Sequence, residues 1–365
     1  MTEMIAAEPH LARRMLTRLL HPDSAAHDLA SAVRDAAARG APIVVTGCGT
    51  SEHGSSGVAD ILREALAAAG VTDRWGAVLA SEAFEASLSS ESAGLVIGVS
   101  HEGGTAATKA ALDAARAAGR RTAIITAGAA SPAAASADIV ITTDEMDESW
   151  CHTIGYVSPL FVGAAVGSIV SGRRLDPGAV GKLMEAGAAD GSNAEAIAAE
   201  LAIPAHVLVT ASGSDRPAAR ELVLKIEEAS WQPAAMRDLE TLLHGHMPAT
   251  DSSTGLVLIL TERDRRAERV RRARQALAGG RLLGLRAAAI LTDGVSGSLD
   301  ADLTPAGRMV VPDAPDLPAP VAALFGSATA LQLLTERIAR ARGTNPDPIR
   351  RDDPRYAEAA SISGT

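Results

Sequence analysis

Aromatic side chains are nearly missing from this 365-residue chain: three Phe, three Trp and two Tyr make 2% of it. With 47% hydrophobic residues and so few rings, its core must be built from Ala, Val, Leu and Ile. Cysteine is scarce too. Cys48 and Cys151 are the only two, which excludes a disulfide-stapled scaffold. With no signal-peptide pattern in Met1–Leu20, the chain reads as cytoplasmic with reduced thiols. No apolar run reaches the roughly 18 residues that span a bilayer, so no membrane partner is expected. Basic charge is in deficit: 34 Lys and Arg against 44 Asp and Glu leave a net charge of −10 at pH 7. That argues against nucleic acid and anionic membranes as partners. No G-x-G-x-x-G is followed by an acidic residue about 20 positions on, and no G-K-[ST] is present, so no nucleotide cofactor is expected. Nor is a metal: His244 and His246 flank Gly245 without a further ligand at fixed spacing.

What the chain does have is alternation. Short aliphatic runs alternate with Ala-rich helical stretches, the pattern of βαβ units and a parallel sheet. Met1–Gly40 reads helical, with Asp23 a plausible cap. Strands are expected at 43–45, 78–80, 95–99, 123–125 and 139–141. After a helical middle, Pro159–Leu201, the pattern restarts with strands at 207–209, 256–260, 287–291 and 309–311. The chain therefore reads as two similar α/β halves. The expected divisions are a helical segment 1–30, domains at 31–170 and 195–340, and a tail 341–365. The tail is rich in Pro, Arg and Asp; it is either a solvated arm or a segment crossing a cleft.

Three constellations stand out. Gly47-Cys48-Gly49-Thr50-Ser51 ends the first strand and opens a helix. Ser100-His101-Glu102-Gly103-Gly104-Thr105 does the same after Leu95–Val99. In an open parallel sheet, loops at the carboxyl ends of strands line the ligand crevice. A helix N-terminus offers unpaired N–H groups and a partial positive charge, so these loops are either anion cradles or plain tight turns. Glu102 sets a carboxylate where a phosphate wants a donor. At about 4 Å and an effective dielectric near 20, such like charges repel by about 4 kcal/mol. Glu102 must then point away, be protonated, pair with a cation, or face a ligand that is not a phosphate. His101 offers a donor there, or a charge if its pKa is raised. The third constellation runs from Glu221 to Ser230, followed by His244-Gly245-His246. Glu221, Leu224, Lys225 and Glu228 share one helical face, either a solvated ion-pair face or a functional one.

Together these stretches resemble the sugar isomerase (SIS) domain family, along nearly the whole chain. Cys48-Gly49-Thr50-Ser51 is similar to its C-G-T-S loop, Ser81-Glu82 to its S-E-F segment, and Ser100–Thr105 to its S-Q-S-G-E-T loop. Leu224–Ser230 is similar to L-K-L-K-E-I-S, His244-Gly245 to H-G-P, and Leu331–Leu334 followed by Arg342–Asp347 to Q-L-L…R-G-x-D-x-D. The resemblance implies an α/β fold of two tandem SIS domains, each a five-stranded parallel sheet flanked by helices. It implies a small-molecule sugar phosphate bound in the first domain by Cys48, Gly49, Thr50, Ser51, Ser100, His101, Glu102 and Thr105, with Lys225 also in contact. It implies Glu228 as the residue moving a proton between C1 and C2, and His244 as the ring opener, supplied by the neighbouring subunit of a homodimer with shared active sites. No cofactor and no metal are implied.

Several residues depart from the family's pattern. Glu102 replaces a serine, Gly104 a glutamate, and His246 a proline. The tail residues Arg350–Ala360 contain no lysine, so an imine in that place is not expected; Arg350, Arg351 and Arg355 could anchor an anion instead. The segment Asp147–Thr153 either shapes substrate choice or only links to the middle helix. No cysteine near residue 2 offers a glutaminase nucleophile. The function expected is a phosphosugar isomerase or an amino-sugar-phosphate deaminase. The alternatives are a non-catalytic sugar-phosphate-binding protein and an enzyme acting on a non-phosphorylated or modified amino sugar.

Overall fold

The computed structural model describes residues 1–71, 78–143 and 145–363. Two five-stranded sheets form, and every strand pairing in both is parallel. The first uses β1 (Ile43–Gly47), β2 (Val78–Glu82), β3 (Leu95–Val99), β4 (Arg121–Thr126) and β5 (Ile139–Thr142), in the order β2-β1-β3-β4-β5. The second uses β6 (His206–Ala211), β7 (Ala234–Asp238), β8 (Thr254–Leu260), β9 (Arg286–Thr292) and β10 (Gly307–Val311), in the order β7-β6-β8-β9-β10. The two orders correspond strand for strand. All of β3 and all of β8 are buried, as expected for aliphatic strands covered on both faces.

The helices before β6 are α1 (Thr2–Leu19), α2 (Ala26–Ala38), α3 (Thr50–Ala68), α4 (Ala83–Ser87), α5 (Ala106–Ala117), α6 (Ile154–Ser171), α7 (Pro177–Ala189) and α8 (Gly191–Leu201). Those after it are α9 (Arg216–Ser230), the single turn α10 (Leu239–Thr241), α11 (Arg266–Leu282), α12 (Asp293–Ser296), α13 (Ala319–Ala341) and α14 (Pro354–Ser363). The chain divides into two compact units. One holds the first sheet and takes His10–Asp147, Ile154–Gly178 and Asp353–Thr365; the other holds the second sheet and takes Met1–Pro9, Glu148–Thr153 and Ala179–Asp352.

Four expectations need correction. Asp23 caps nothing: the N-cap position of α2 is Ala25, two residues beyond it, and Ser24 Oγ accepts the Ala26 N–H at 3.3 Å. Strand β7 carries no sequence signal, since Ala-Ala-Met-Arg-Asp is a short, half-buried edge strand without an aliphatic run. Helix α6 does have the length and composition to cross a membrane, with 18 residues of mean hydropathy 1.6; the interior takes it up, with 83% of it buried. Its Gly163 and Gly167 lie against Val58 and Ile61 of α3, too close for larger side chains to enter freely. Finally, only the later part of the tail is solvated: residues 342–351 are hydrogen-bonded within the second unit, while α14 beyond them is exposed over most of its length and residues 364 and 365 lie outside the described residues.

Candidate functional site

In the first unit the two loops sit at the carboxyl ends of the neighbouring strands β1 and β3. Gly49 opens α3 at φ 55°, ψ −126°, a conformation that a Cβ makes costly. No side chain caps α3, and Thr50 and Ser51, both nearly buried, form its first turn. The Cys48 thiol donates to Glu82 at 3.5 Å. Burial first, then the Glu82 carboxylate, push it up to about 11, so Cys48 is a protonated donor and not a nucleophile. Glu82 in turn caps α4 through the Phe84 and Glu85 N–H groups. Burial alone would raise its carboxyl, and these bonds hold it below the usual range.

The second loop is pinned from behind. The His101 carbonyl accepts the Ala127 N–H at 2.9 Å and the Thr126 hydroxyl at 3.2 Å; the Gly103 carbonyl accepts the Ala133 N–H at 3.1 Å. Gly103 has φ 75°, and a Cβ there would lie 1.9 Å from Ser131 Oγ. The buried Ser100 donates to Thr105 Oγ1 at 3.1 Å, and Thr105, at the N-cap of α5, makes no side-chain cap. The loop therefore gathers two hydroxyls at a helix N-terminus without a side-chain cap. Glu102 is exposed, so water screens its carboxylate.

His101 is not the cationic donor that the sequence allowed. Its side chain is 6% exposed, and Nε2 accepts the Asp147 N–H at 3.0 Å. Burial lowers its pKa against the pull of Asp147 and Glu102. The imidazole is a neutral strut. It holds Asp147, whose buried carboxylate accepts the N–H groups of Ile154 and Gly155 and so opens α6.

In the second unit, α9 presents a buried charge cluster where the sequence also allowed a solvated face. Lys225 is wholly buried, 2.6 Å from Glu228 Oε2 and 3.5 Å from Glu221 Oε1. Burial alone would lower its pKa; the two carboxylates outweigh that and raise it. Glu221 is also wholly buried, whereas the Glu228 side chain is 21% exposed. Burial raises the Glu228 pKa, Lys225 opposes this, and Glu221 adds to it. The Cys151 thiol hydrogen-bonds Glu228 and is pushed up by burial. His244 stands apart from this cluster, on a kink at φ −107° with Gly245 at φ 136° beside it. Its side chain is 68% exposed, and Nε2 lies 2.9 Å from Glu240 Oε1, which also receives Arg272 at 2.6 Å. Among the described residues no group of three or more metal-ligating side chains occurs.

Residues 36–168 match the SIS domain family. This stretch is an SIS domain. No curated protein sequence matches the chain significantly. Among solved structures, the C-terminal domain of glucosamine-fructose-6-phosphate aminotransferase from Francisella tularensis superposes with a TM-score of 0.76 at 17% identity, over 94% of this chain and 96% of that one. Tagatose-6-phosphate ketose/aldose isomerase from Escherichia coli gives 0.72 at 18%, over 95% and 94%. Glucosamine-6-phosphate deaminase from Thermotoga maritima gives 0.65 at 16%, over 89% and 97%. The fold is thus the tandem SIS arrangement, with the second sheet repeating the topology of the first.

The second half rebuilds the SIS crest and fills it with its own side chains. At the end of β6, Asp215 accepts the Thr261 N–H at 2.9 Å and the Glu262 N–H at 3.0 Å, both just beyond β8. Arg269 donates to Ser212 Oγ and to the Asp264 carbonyl, each at 2.7 Å. Amides that would face an anion are already taken by a carboxylate. Sequence reasoning missed Asp215, Glu262 and Arg269, and it singled out the segment holding Asp147 and Cys151 without the roles these two play. Each acts through a partner far along the chain, and no local spacing signals that.

Proposed function

We propose that the chain moves a proton between C1 and C2 of a sugar phosphate, as an aldose–ketose isomerase or an amino-sugar-phosphate deaminase. The observation that carries this reading is Glu228: a carboxyl that is mostly buried, one-fifth exposed, and held by a buried lysine. An ionised, poorly hydrated carboxylate within about 3 Å of a C–H beside a carbonyl is an effective general base. Glu228 takes that proton, the C–H electron pair becomes the C1–C2 double bond, and the carbonyl oxygen gains a proton. Return of the proton to the neighbouring carbon, with loss to solvent of the hydroxyl proton on the carbon first deprotonated, restores a carbonyl there and completes the isomerisation. A deaminase adds hydrolytic loss of ammonia from the amino-bearing intermediate. Lys225 stays charged throughout and keeps the carboxylate in place.

The hydroxyls of Ser100 and Thr105, with Thr50 and Ser51 on the adjacent loop, are assigned to the phosphate. Their support is the two uncapped helix N-termini. His244 is assigned to ring opening, and its exposure in one copy suits a site completed by a second copy in a homodimer. In heavy water, Glu228→Gln should lose exchange of the C1 hydrogen of fructose 6-phosphate and of the C2 hydrogen of glucosamine 6-phosphate by about 10²–10⁴-fold, the usual worth of a general base. Retained exchange overturns the assignment. The lysine-free tail favours a second reading, a binding protein without turnover. That reading expects ligand-induced thermal stabilisation with no exchange in the unaltered protein.

A further inference from the structure

Among the described residues four non-glycine positions have positive φ, and three of them concern one patch: Trp231 at 57°, Ile349 at 42° and Arg350 at 63°. A β-branched residue in this region is a true outlier, and such strain persists only where the surroundings over-determine it. Here they do. Thr344 Oγ1 donates to the Ala229 carbonyl at 2.7 Å and Arg342 to the Ser230 carbonyl at 3.0 Å, serving last-turn carbonyls of α9 that lack helical partners. Arg350 stacks over Trp231, the C-cap of α9, at 4.5 Å. The same segment grips a second element. The Asp347 carbonyl accepts the Trp150 N–H at 2.9 Å, and Arg351 stacks over the Trp150 ring at 3.8 Å. Ile349 packs against the apolar cluster that holds Cys151 and Ala229. Glu228 sits one residue before Ala229, and Cys151 is its hydrogen-bond donor.

We propose that residues 342–351 are a strap that sets the position of the Glu228 carboxyl, with Arg350 and Arg351 as positioning residues acting through Trp231 and Trp150. The proposal rests on reading Glu228 as the base. A strap of this kind holds both supports of one carboxylate: the helix turn that presents it and the thiol that hydrogen-bonds it. Its release frees the 149–151 segment, exposes the buried Cys151 thiol and removes a bond to the charged form of Glu228. Loss of that bond raises the carboxyl's pKa, so the acidic limb of a rate–pH profile moves to higher pH.

The test compares Arg350→Ala/Arg351→Ala with Arg350→Lys/Arg351→Lys, which keeps a cation over each ring. Iodoacetamide alkylation is read by mass spectrometry at the Cys151 peptide, and exchange of the C1 hydrogen is followed in heavy water with fructose 6-phosphate as probe. The alanine pair should label Cys151 at least tenfold faster, lose about tenfold in kcat with KM little changed, and shift the acidic limb upward; the lysine pair should stay near the unaltered protein. Equal protection of Cys151 in the alanine pair overturns the strap, as does an unshifted pH profile. If the unaltered protein exchanges no proton, it is the reading of Glu228 that fails, and the alkylation arm decides the strap alone. If the alanine pair does not fold, Ile349→Gly, which relieves the backbone strain and removes the side chain packed against the cluster that holds Cys151, is put through the same two assays.

Discussion

Three side chains on α9 form one buried charge cluster. Glu221 and Glu228 lie on either side of Lys225, and the pair nearer solvent is the shorter one. A buried ion pair is weak evidence for net stability, because desolvation offsets much of the attraction. Breaking one from a single side is costly, because it leaves the partner buried with its charge. Lys225→Met should therefore destabilise by about 3–5 kcal/mol, read as a fall in the denaturant midpoint at unchanged slope. Lys225→Met combined with Glu221→Gln should recover part of that loss; no recovery would show that Glu221 does not depend on Lys225. The spacing of these residues was legible because i,i+3 and i,i+4 positions share a helical face. Their burial was not, because it depends on α13 and residues 148–153 being in the same compact unit.

At the scale of elements, the chain repeats one device: a strand, a sharp loop and a helix with an open N-terminus. In the first sheet it occurs after β1 and after β3, and each loop turns on a glycine at positive φ, Gly49 or Gly103. Gly103→Ala meets both a left-handed backbone and the Ser131 side chain. It should cost about 1–2 kcal/mol from the backbone alone and weaken sugar-phosphate affinity; thermal unfolding with and without probe ligand checks both. Unchanged affinity in a folded variant would separate this loop from the anion. Glu82 gives a quieter element-level prediction. Glu82→Ala removes the cap of α4 and should cost about 1 kcal/mol, measurable by chemical denaturation. It also removes the carboxylate that helps raise the Cys48 pKa, so Cys48 should react faster with a thiol reagent at pH 8.

Over the whole molecule, the two sheets share one strand order but differ at their crests. The helices α3 and α5 that leave the first have no side-chain cap, while at the second Asp215 and Arg269 tie neighbouring loops together and α9, which carries Glu228, leaves that loop. This closure leaves a signature in global stability. Asp215 is wholly buried, and burial pushes its carboxyl up to about 6, opposed by the Thr261 hydroxyl and by the Glu262 and Thr261 N–H groups, while the Glu262 carboxylate adds to the rise. A folded-state pKa above the unfolded one stabilises fully below the unfolded value, and that contribution is lost as pH climbs through the folded value. Between about pH 4 and 7 this group alone should remove about 3 kcal/mol. Across that window the unfolding free energy should fall by about 3 kcal/mol more in the unaltered protein than in Asp215→Asn; identical slopes would place Asp215 at an ordinary pKa.

The sequence alone determined the strand–helix alternation, nine of the ten strands, the glycine-bearing loops and the helical face carrying Glu221, Lys225 and Glu228. All of these are local: periodicity, turn chemistry and spacing act within a few residues and survive in the linear order. Edge strand β7 escaped because its neighbour in the sheet, β6, lies more than twenty residues upstream and no aliphatic run marks it. Only the tertiary structure decided that His101 is a neutral strut, that the second crest is filled by its own carboxylate, and that an Arg-rich tail is tied to two tryptophans. Protonation, closure and stacking are set by burial and by partners distant in the chain, and the linear order holds no record of either until the chain is folded.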